Sequence, residues 1–235
     1  MIIMRFDIIS VFPEIFDSYF NASIIKRARQ KKLVEIHAHN LRDFAVDKHK
    51  KVDDRPYGGG AGMVLLAEPL LRAMAFVKKR IGRKKHKVVI LSAKGKQFTQ
   101  LMAYDWAKKY KNIIFITGRY EGIDERVVKI LRAEEVSIGP YVLTDGDVAV
   151  MAIVSSVARL VPGVIAFESL REESHWGDLL KREKGADAKE IGLEYPHYTR
   201  PEVLMYGGKK YRVPKVLLSG DHKKIEEWRK QKRGS

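Results

Sequence analysis

Short apolar runs alternate with segments of helical apolar spacing from Arg5 to Leu143. Runs of β-branched and aromatic residues predict buried strands, whereas apolar residues three or four positions apart predict helices. The predicted strands are Phe6–Val11, Val34–His39, Val88–Leu91, Ile113–Ile116 and Val136–Leu143. Residues 92–95 are predicted to form a loop after the third of these strands. Strands that alternate with helices in this way predict an α/β fold with a mainly parallel sheet and right-handed crossovers.

Two glycine-containing loops follow the neighbouring strands Ile113–Ile116 and Val136–Leu143. The first loop is Gly118–Gly122, which reads GRYEG. The second strand is broken by Gly139-Pro140 and leads into the turn Asp145–Asp147. Because ligands of open α/β sheets bind at the carboxyl ends of strands, we expect the active site at these two loops.

A third glycine-rich loop lies between the second and third predicted strands. Four of the five residues from Gly58 to Gly62 are glycines, which frees the backbone to approach a flat or charged ligand closely. The loop lacks the Gly-Lys-Ser/Thr ending of a phosphate-binding P-loop, so a nucleoside triphosphatase is not expected. The pattern alone leaves two interpretations open, a substrate-binding loop and a merely flexible one.

The remainder of the chain divides into three parts. An apolar stretch after Asp147 predicts a buried helix with Arg159 near its end. Residues 168–191 mix acids and bases without apolar periodicity, which is typical of a linker or lid. Near the C-terminus, Ile225 and Trp228 share one face of a basic helix. We therefore predict a first domain at 1–167, a flexible linker at 168–195 and a small basic helical domain at 196–235.

The chain is strongly basic, with 45 lysines and arginines against 29 acids, a formal net charge of +16 and a pI near 9.8. This balance indicates a polyanionic partner, most simply nucleic acid, with a solubility surface or a heat-adapted charge composition as the alternatives. Nine lysines or arginines and no acid lie between Lys78 and Lys96. Such a run is either a solvated face or a phosphate-binding one.

The composition also excludes several kinds of chemistry. With no cysteine, the chain has no disulfide, thiolate metal site or cysteine nucleophile. No paired-histidine spacing is present, so we predict no fixed metal site. The N-terminal apolar run contains Asp7 and is too short for a signal or membrane segment. We expect a soluble, cytoplasmic protein that binds no membrane.

Several motifs along the chain together resemble one known family. They read VDDRPYGGGAGM, GRYEGIDERV, SIGPYVLTDGD, SSVARLVPGV and PHYTRP, in this order. In this set the chain resembles the bacterial tRNA (guanine-N1)-methyltransferases of the SPOUT superfamily. The resemblance implies a deep trefoil knot in the first domain and an obligate homodimer whose active sites combine both subunits. It also implies methyl transfer from S-adenosylmethionine to N1 of the guanosine that follows the tRNA anticodon, with Mg²⁺ allowed as a further cofactor.

The same resemblance assigns site residues. It implies a cofactor site in the strand ends and the two loops, formed by Leu91, Ser92, Gly118, Tyr120, Glu121, Ser137, Ile138, Gly139, Pro140, Tyr141, Val142, Leu143 and Gly146. The flipped guanine is expected beside Gly62 and Met63, and further substrate contacts are expected from Asp178, His197 and Arg200. Arg159 matches the family arginine that would stabilise charge on guanine O6. Glu173 is expected to be the general base, with Asp178 as its rival.

Four positions depart from the family pattern. Pro140 stands where aspartate is usual, Asp145 where glycine is usual, Asp147 where glutamate is usual and Glu173 where aspartate is usual. Two effects of Asp145 are open: its side chain crowds the cofactor, or its carboxylate attracts the sulfonium. Two rival functions are also open, methylation of another RNA nucleoside and RNA binding without catalysis.

Overall fold

The computed structural model describes residues 4–166, 169–170 and 194–232. The chain forms two compact units, Met1–Ala166 and Phe167–Ser235. The first unit contains β1 (Met4–Ser10), α1 (Ile15–Phe20), α2 (Ser23–Gln30), β2 (Val34–Asn40), a 3₁₀ helix (Leu41–Phe44), β3 (Asp53–Asp54), β4 (Val64–Leu65), α3 (Ala67–Ile81), β5 (His86–Gln97), α4 (Gln100–Lys109), β6 (Asn112–Ile116), α5 (Glu125–Leu131), β7 (Glu134–Ser137) and α6 (Asp147–Ala158).

Five strands of the first unit form one parallel sheet in the order β2-β1-β6-β5-β7. The prediction of an α/β fold with a mainly parallel sheet is confirmed. One detail is wrong: β6 and β7, which precede the two predicted site loops, are not neighbours, because β5 lies between them. Local periodicity cannot give this order, since strand neighbours are set by crossovers between distant segments.

Side chains of the sheet alternate between its two faces, as the pleat of a strand requires. On one face, Phe6, Ile8 and Phe115 pack in a buried cluster with α1, α2, α4 and α6. On the other face, Ile9 and Ile114 pack in a second cluster with α3 and α5. The result is a helix–sheet–helix sandwich whose strands are apolar on both faces, as is typical of parallel sheets.

The two strands that flank the site have different lengths from the predicted ones. β7 ends at Ser137, so residues 138–146 form a loop and not a strand, because Gly139-Pro140 removes a ladder donor. β5 extends to Gln97, and its pairing with β7 shifts register between Leu91 and Lys96. The segment 92–95, predicted as a loop, is therefore an irregularity within a long strand.

The second unit contains a hairpin that the sequence prediction missed. Antiparallel strands β8 (Val203–Tyr206) and β9 (Lys209–Arg212) meet at Gly207-Gly208, where both glycines have positive φ. The helices α7 (Lys215–Leu218) and α8 (His222–Gln231) follow. The prediction of a small basic helical domain therefore left out this hairpin, although a Gly-Gly pair between two short runs is a recognised hairpin signal. Across the described residues, no helix has the length and apolar character needed to span a membrane.

Candidate active site

A cavity of about 510 Å³ lies at the carboxyl ends of β5, β6 and β7. Residues 90–94 of β5, 118–123 after β6, and 135–138 and 141–146 around the end of β7 supply most of its wall. This volume lies within the range of small-molecule pockets. The insertion of β5 between β6 and β7 means that three strand ends, and not two, meet at the site.

The loop after β6 is held in place by β4 and by Met63, the residue that precedes it. The amide of Glu121 donates to the carbonyl of Met63 at 3.0 Å, and the amide of Leu65 donates to the carbonyl of Gly122 at 3.0 Å. Gly122 has φ of 122°, a conformation that favours glycine. These bonds fix the position of residues 118–122 at the cavity mouth.

The loop after β7 ends at Gly146, which contacts the loop after β6. The amide of Gly146 donates to the carbonyl of Gly118 at 2.9 Å. A Cβ atom at Gly146 would lie 3.0 Å from the Cβ of Leu91 and 3.1 Å from the nitrogen of Gly118. Only a glycine therefore lets α6 begin this close to the ends of β5 and β6.

A buried charge network joins the first loop to the start of α6. Arg119 approaches Asp147 at 3.0 Å and Asp145 at 3.3 Å, and its guanidinium lies over the ring of Phe12 at 4.5 Å. Asp147, which is fully buried, also accepts a 2.8 Å hydrogen bond from the hydroxyl of Ser10. Asp145 accepts a 2.9 Å hydrogen bond from the amide of Asp147. The two carboxylates thus share one arginine beside the cavity.

The cavity wall is acidic although the chain is basic. Its charged residues are Glu121, Glu125, Glu135, Asp145, Lys94 and Arg119, which gives four carboxylates and two cations and a formal charge of −2. Lys94 pairs with Glu125 at 3.1 Å and with Glu135 at 3.4 Å. A site with this balance favours a ligand of positive charge.

Eleven of the thirteen residues predicted for the cofactor line this one cavity. They are Leu91, Ser92, Gly118, Tyr120, Glu121, Ser137, Ile138, Tyr141, Val142, Leu143 and Gly146. The other two, Gly139 and Pro140, belong to the same loop but not to the cavity wall. Gly139 instead holds the turn, because the hydroxyl of Ser137 donates to its carbonyl at 2.8 Å and accepts from its amide at 3.2 Å.

The sequence prediction missed several cavity residues. Lys94 and Ala93 were missed because they fall in the irregular part of β5, which the pattern assigns to a loop. Arg119 lies inside the GRYEG motif, where its position as a cation between two glycines could have indicated a site residue. Asp145 was noted as a departure, but local sequence could not show that it pairs with Arg119.

Within the first unit, the residues predicted to act on the substrate do not line the cavity itself. Gly62 and Met63 lie against the first loop, with Gly62 touching the Glu121 side chain. Arg159 is half-buried just after the last residue of α6, and does not line the cavity. A twelve-residue helix spans about 18 Å, so Arg159 is about that far from Gly146.

The remaining predicted substrate residues lie beyond the first unit. His197 and Arg200 are exposed in the second unit, and His197 lies 3.8 Å from Glu194. Glu173 and Asp178 lie outside the described residues, so their roles stay predictions. Within the ranges that the structure describes, no three histidine or acidic side chains are grouped to hold a metal ion.

A glycine-lined cavity at the carboxyl ends of parallel strands defines an α/β protein that binds a small ligand at its sheet edge. The family model for tRNA (Guanine-1)-methyltransferase TrmD matches residues 4–235. Three relatives bear the name tRNA (guanine-N(1)-)-methyltransferase. That of Clostridioides difficile (strain 630) is 44% identical over 97% of this chain and 91% of its own length. Those of Carboxydothermus hydrogenoformans and Thermomicrobium roseum are 45% and 47% identical over 97% of this chain, and over 82% and 78% of their own lengths. The chain therefore belongs to the tRNA (guanine-1)-methyltransferase family.

Proposed function

We propose that the protein transfers a methyl group from S-adenosylmethionine to N1 of the guanosine that follows the tRNA anticodon. The observation that carries the proposal is the acidic cavity of about 510 Å³ at the ends of β5, β6 and β7, in a chain of net charge +16. The cavity suits a cationic cofactor, whereas the surrounding chain suits a polyanionic substrate. The names of the relatives support the coarser part of this proposal, methylation of a tRNA guanine at N1.

The residues of the cavity fit the proposed cofactor. S-adenosylmethionine carries a sulfonium and an ammonium against one carboxylate, and when bound it supplies an electrophilic methyl group. The carboxylates of Glu121 and Asp145 suit its positive charges. Apolar wall residues such as Leu91, Ile138 and Leu143 exclude water around an adenine ring. Backbone groups of the two loops are available for the polar edges of the base and ribose.

Two side chains of this chain would act on guanine. The N1 proton must leave as the methyl group arrives, and Glu173 would accept it as a general base, a role that contributes roughly 10²–10⁴-fold to rates. Arg159 would stabilise the negative charge that develops on O6. Gly62, Met63, Asp178, His197 and Arg200 would hold the flipped nucleoside and its flanks. Asp178 is the alternative base.

We also propose that the active site combines two subunits. Arg159 lies about one helix length (~18 Å) from the cavity that its own chain forms, so a partner subunit would supply it. Apolar side chains next to the cavity support such an interface, since Val142 is 84% exposed and Val148 is 47% exposed. The narrow passage of Gly146 between the ends of β5 and β6 fits the knot of this superfamily, which we include in the proposal.

The test is a methylation assay on a defined tRNA transcript with S-adenosylmethionine, followed by mapping of the product base. N1-methylguanosine at the nucleotide 3′ to the anticodon is the expected product. A different methylated nucleoside would favour the first rival function. No product and no S-adenosylmethionine binding by calorimetry would favour RNA binding without catalysis. Parallel reactions with EDTA and with added Mg²⁺ test the predicted allowance for that ion.

A further inference from the structure

The edge of the sheet opposite the cavity carries a cluster of cations, which we call the basic edge. It comprises Lys78, Lys79, Arg83, Lys84, Lys85 and Lys111, all of them exposed. The cluster results from the topology of a parallel sheet, in which the helix before each strand ends at the amino-terminal edge. α3 ends at Ile81 and α4 ends at Lys109, so the residues that lead into β5 and β6 lie side by side.

The strand register brings two of these lysines close together. β5 pairs with β6 so that His86 lies opposite Asn112, and Lys85 and Lys111 each precede this pair by one residue. Neighbouring strands are about 4.8 Å apart. Like charges at opposing positions of a sheet are unfavourable unless an opposite charge compensates them.

Within the described part of the chain, no carboxylate pairs with any side chain of the basic edge. Nearby lysines do have such partners: Lys109 pairs with Asp105 at 3.2 Å, and Lys87 pairs with Glu134. At the cavity, Lys94 pairs with two glutamates. The side chains of the basic edge therefore lack the acidic partners that these three lysines have.

The helix dipole accounts for only part of the cluster. A dipole favours cations in the last turn of a helix, which explains Lys78 and Lys79 at the end of α3. Arg83, Lys84 and Lys85 follow the helix end and gain little from the dipole, which acts within about one turn. Lys85 is in addition held 5.5 Å above the ring of Tyr110, which limits its motion and so reduces the entropy lost when it binds an anion.

We infer that the basic edge binds the phosphate backbone of tRNA at nucleotides outside the segment that enters the cavity. The inference rests on the proposed function for the identity of the RNA. The edge and the cavity lie at opposite ends of β5, and the six steps from His86 to Ser92 span about 20 Å. One subunit can therefore contact phosphates far from the target base while its cavity serves the methyl transfer.

The test compares two triple variants that each remove three positive charges. One is Arg83→Gln, Lys84→Gln and Lys85→Gln on the basic edge. The control is Lys50→Gln, Lys51→Gln and Arg72→Gln, at side chains that already pair with Asp43, Asp54 and Glu68. Affinity for full-length tRNA is measured from about 50 to 200 mM salt, a range in which phosphate contacts dominate the salt dependence.

The edge variant is expected to bind full-length tRNA at least about tenfold more weakly at low salt, with the slope of log affinity against log salt reduced by about two to three. The control is expected to lose much less. Unchanged affinity in the edge variant, or an equal loss in both variants, would overturn the inference. The inference would also be overturned if the edge variant lost binding to phosphatidylserine vesicles but kept its affinity for tRNA.

A second substrate separates this inference from the proposed function. With an isolated anticodon stem–loop RNA, the edge variant is expected to bind and methylate as the wild type does. An equal loss on the stem–loop and on full-length tRNA would overturn the placement outside the target segment. If the wild type binds tRNA but methylates none, the proposed function fails, and a selective binding loss in the edge variant still supports the phosphate contact.

Discussion

The role assigned to Asp145 changes once its neighbours in the fold are known. The sequence left two effects open, crowding of the cofactor or attraction of the sulfonium. In the structure the carboxylate turns towards Arg119 and accepts from the amide of Asp147 at the start of α6. Asp145 thus accepts a hydrogen bond from the first residue of α6 and pairs with Arg119, and it also lines the cavity. The glycine usual at this position could supply neither contact.

Replacing Asp145 should separate these two contacts. Asp145→Gly removes the hydrogen bond from the amide of Asp147 and the ion pair with Arg119, and should lower the free energy of unfolding by about 1 kcal/mol. Asp145→Asn keeps an oxygen for the amide of Asp147 and should recover at least half of the loss. Denaturant unfolding monitored by circular dichroism measures both. Equal losses in the two variants would show that the hydrogen bond to Asp147 is not the stabilising contact.

The proposed catalytic side chains give a second prediction at the residue scale. Glu173→Gln should lower kcat by roughly 10²-fold or more, because the amide cannot accept the N1 proton. Arg159→Ala should lower kcat by a similar factor through loss of O6 stabilisation. Single-turnover methylation with tRNA and cofactor saturating measures both.

The matched variant for this experiment is Asp178→Asn. With tRNA saturating, it should keep near wild-type turnover if Glu173 is the base, because Asp178 would then contribute to nucleoside binding and not to proton transfer. A fall in kcat for Asp178→Asn with normal turnover in Glu173→Gln would instead assign the base to Asp178. Near wild-type turnover in all three variants would contradict both proposed roles.

Among the elements, most strands could be read from the sequence and their order in the sheet could not. The apolar run Ile113–Ile116 predicts β6 because burial on both faces leaves a local signal. The placement of β5 between β6 and β7 leaves no such signal. The irregular part of β5 was also hidden, since residues 92–95 are polar or small and read as a loop. Most of the cavity residues could be named from motifs, but the acidic cavity wall depends on pairs such as Lys94 with Glu135, which only the fold brings together.

The strand pair β1–β2 contains a buried carboxylate whose charge should stabilise the sheet edge. Asp7 is fully buried, accepts two hydrogen bonds from Arg5 at 2.7 and 2.8 Å, and lies 2.7 Å from Nε2 of His39. Burial alone would raise the pKa of Asp7, but the hydrogen bonds from Arg5 and His39 outweigh it and lower the pKa below its usual value. The ionised form is therefore favoured in the folded state.

Asp7→Asn should destabilise the protein by about 3 kcal/mol at pH 7, because it leaves the Arg5 charge without its partner. Because the pKa of Asp7 is lower in the folded state than in the unfolded state, its carboxylate stabilises the fold at pH values above the unfolded pKa of about 4. This stabilisation is lost as the pH falls through the folded-state pKa. The difference between wild type and variant should therefore shrink below about pH 4. Denaturant titrations across pH measure it.

Asp105→Asn, at an exposed pair with Lys109, should change stability by less than about 1 kcal/mol. A difference that grows on acidification would contradict the assigned sign.

Across the molecule, negative and positive charges are concentrated in different places. The cavity wall is acidic, the opposite edge of the sheet is basic, and residues 207–235 carry ten lysines and arginines against three acids. The sequence could predict an RNA partner from the total charge alone. It could not predict that the cation run from Lys78 to Lys96 divides between the two ends of β5, because that division depends on where the strand begins and ends.

Subunit mixing tests whether the site is shared between two copies. Gly146→Val should block the cavity, since a Cβ there already meets the Leu91 side chain and the Gly118 backbone, and Arg159→Ala removes the proposed O6 contact. Each variant alone should be nearly inactive.

Random exchange of subunits gives about half mixed dimers, and each mixed dimer has one intact site of its two. An equal mixture should therefore recover about a quarter of wild-type activity. Methylation after co-refolding measures this, with each variant refolded alone as the control. If Arg159 acts within its own chain, no mixed dimer has an intact site, and the mixture will be no more active than its parents.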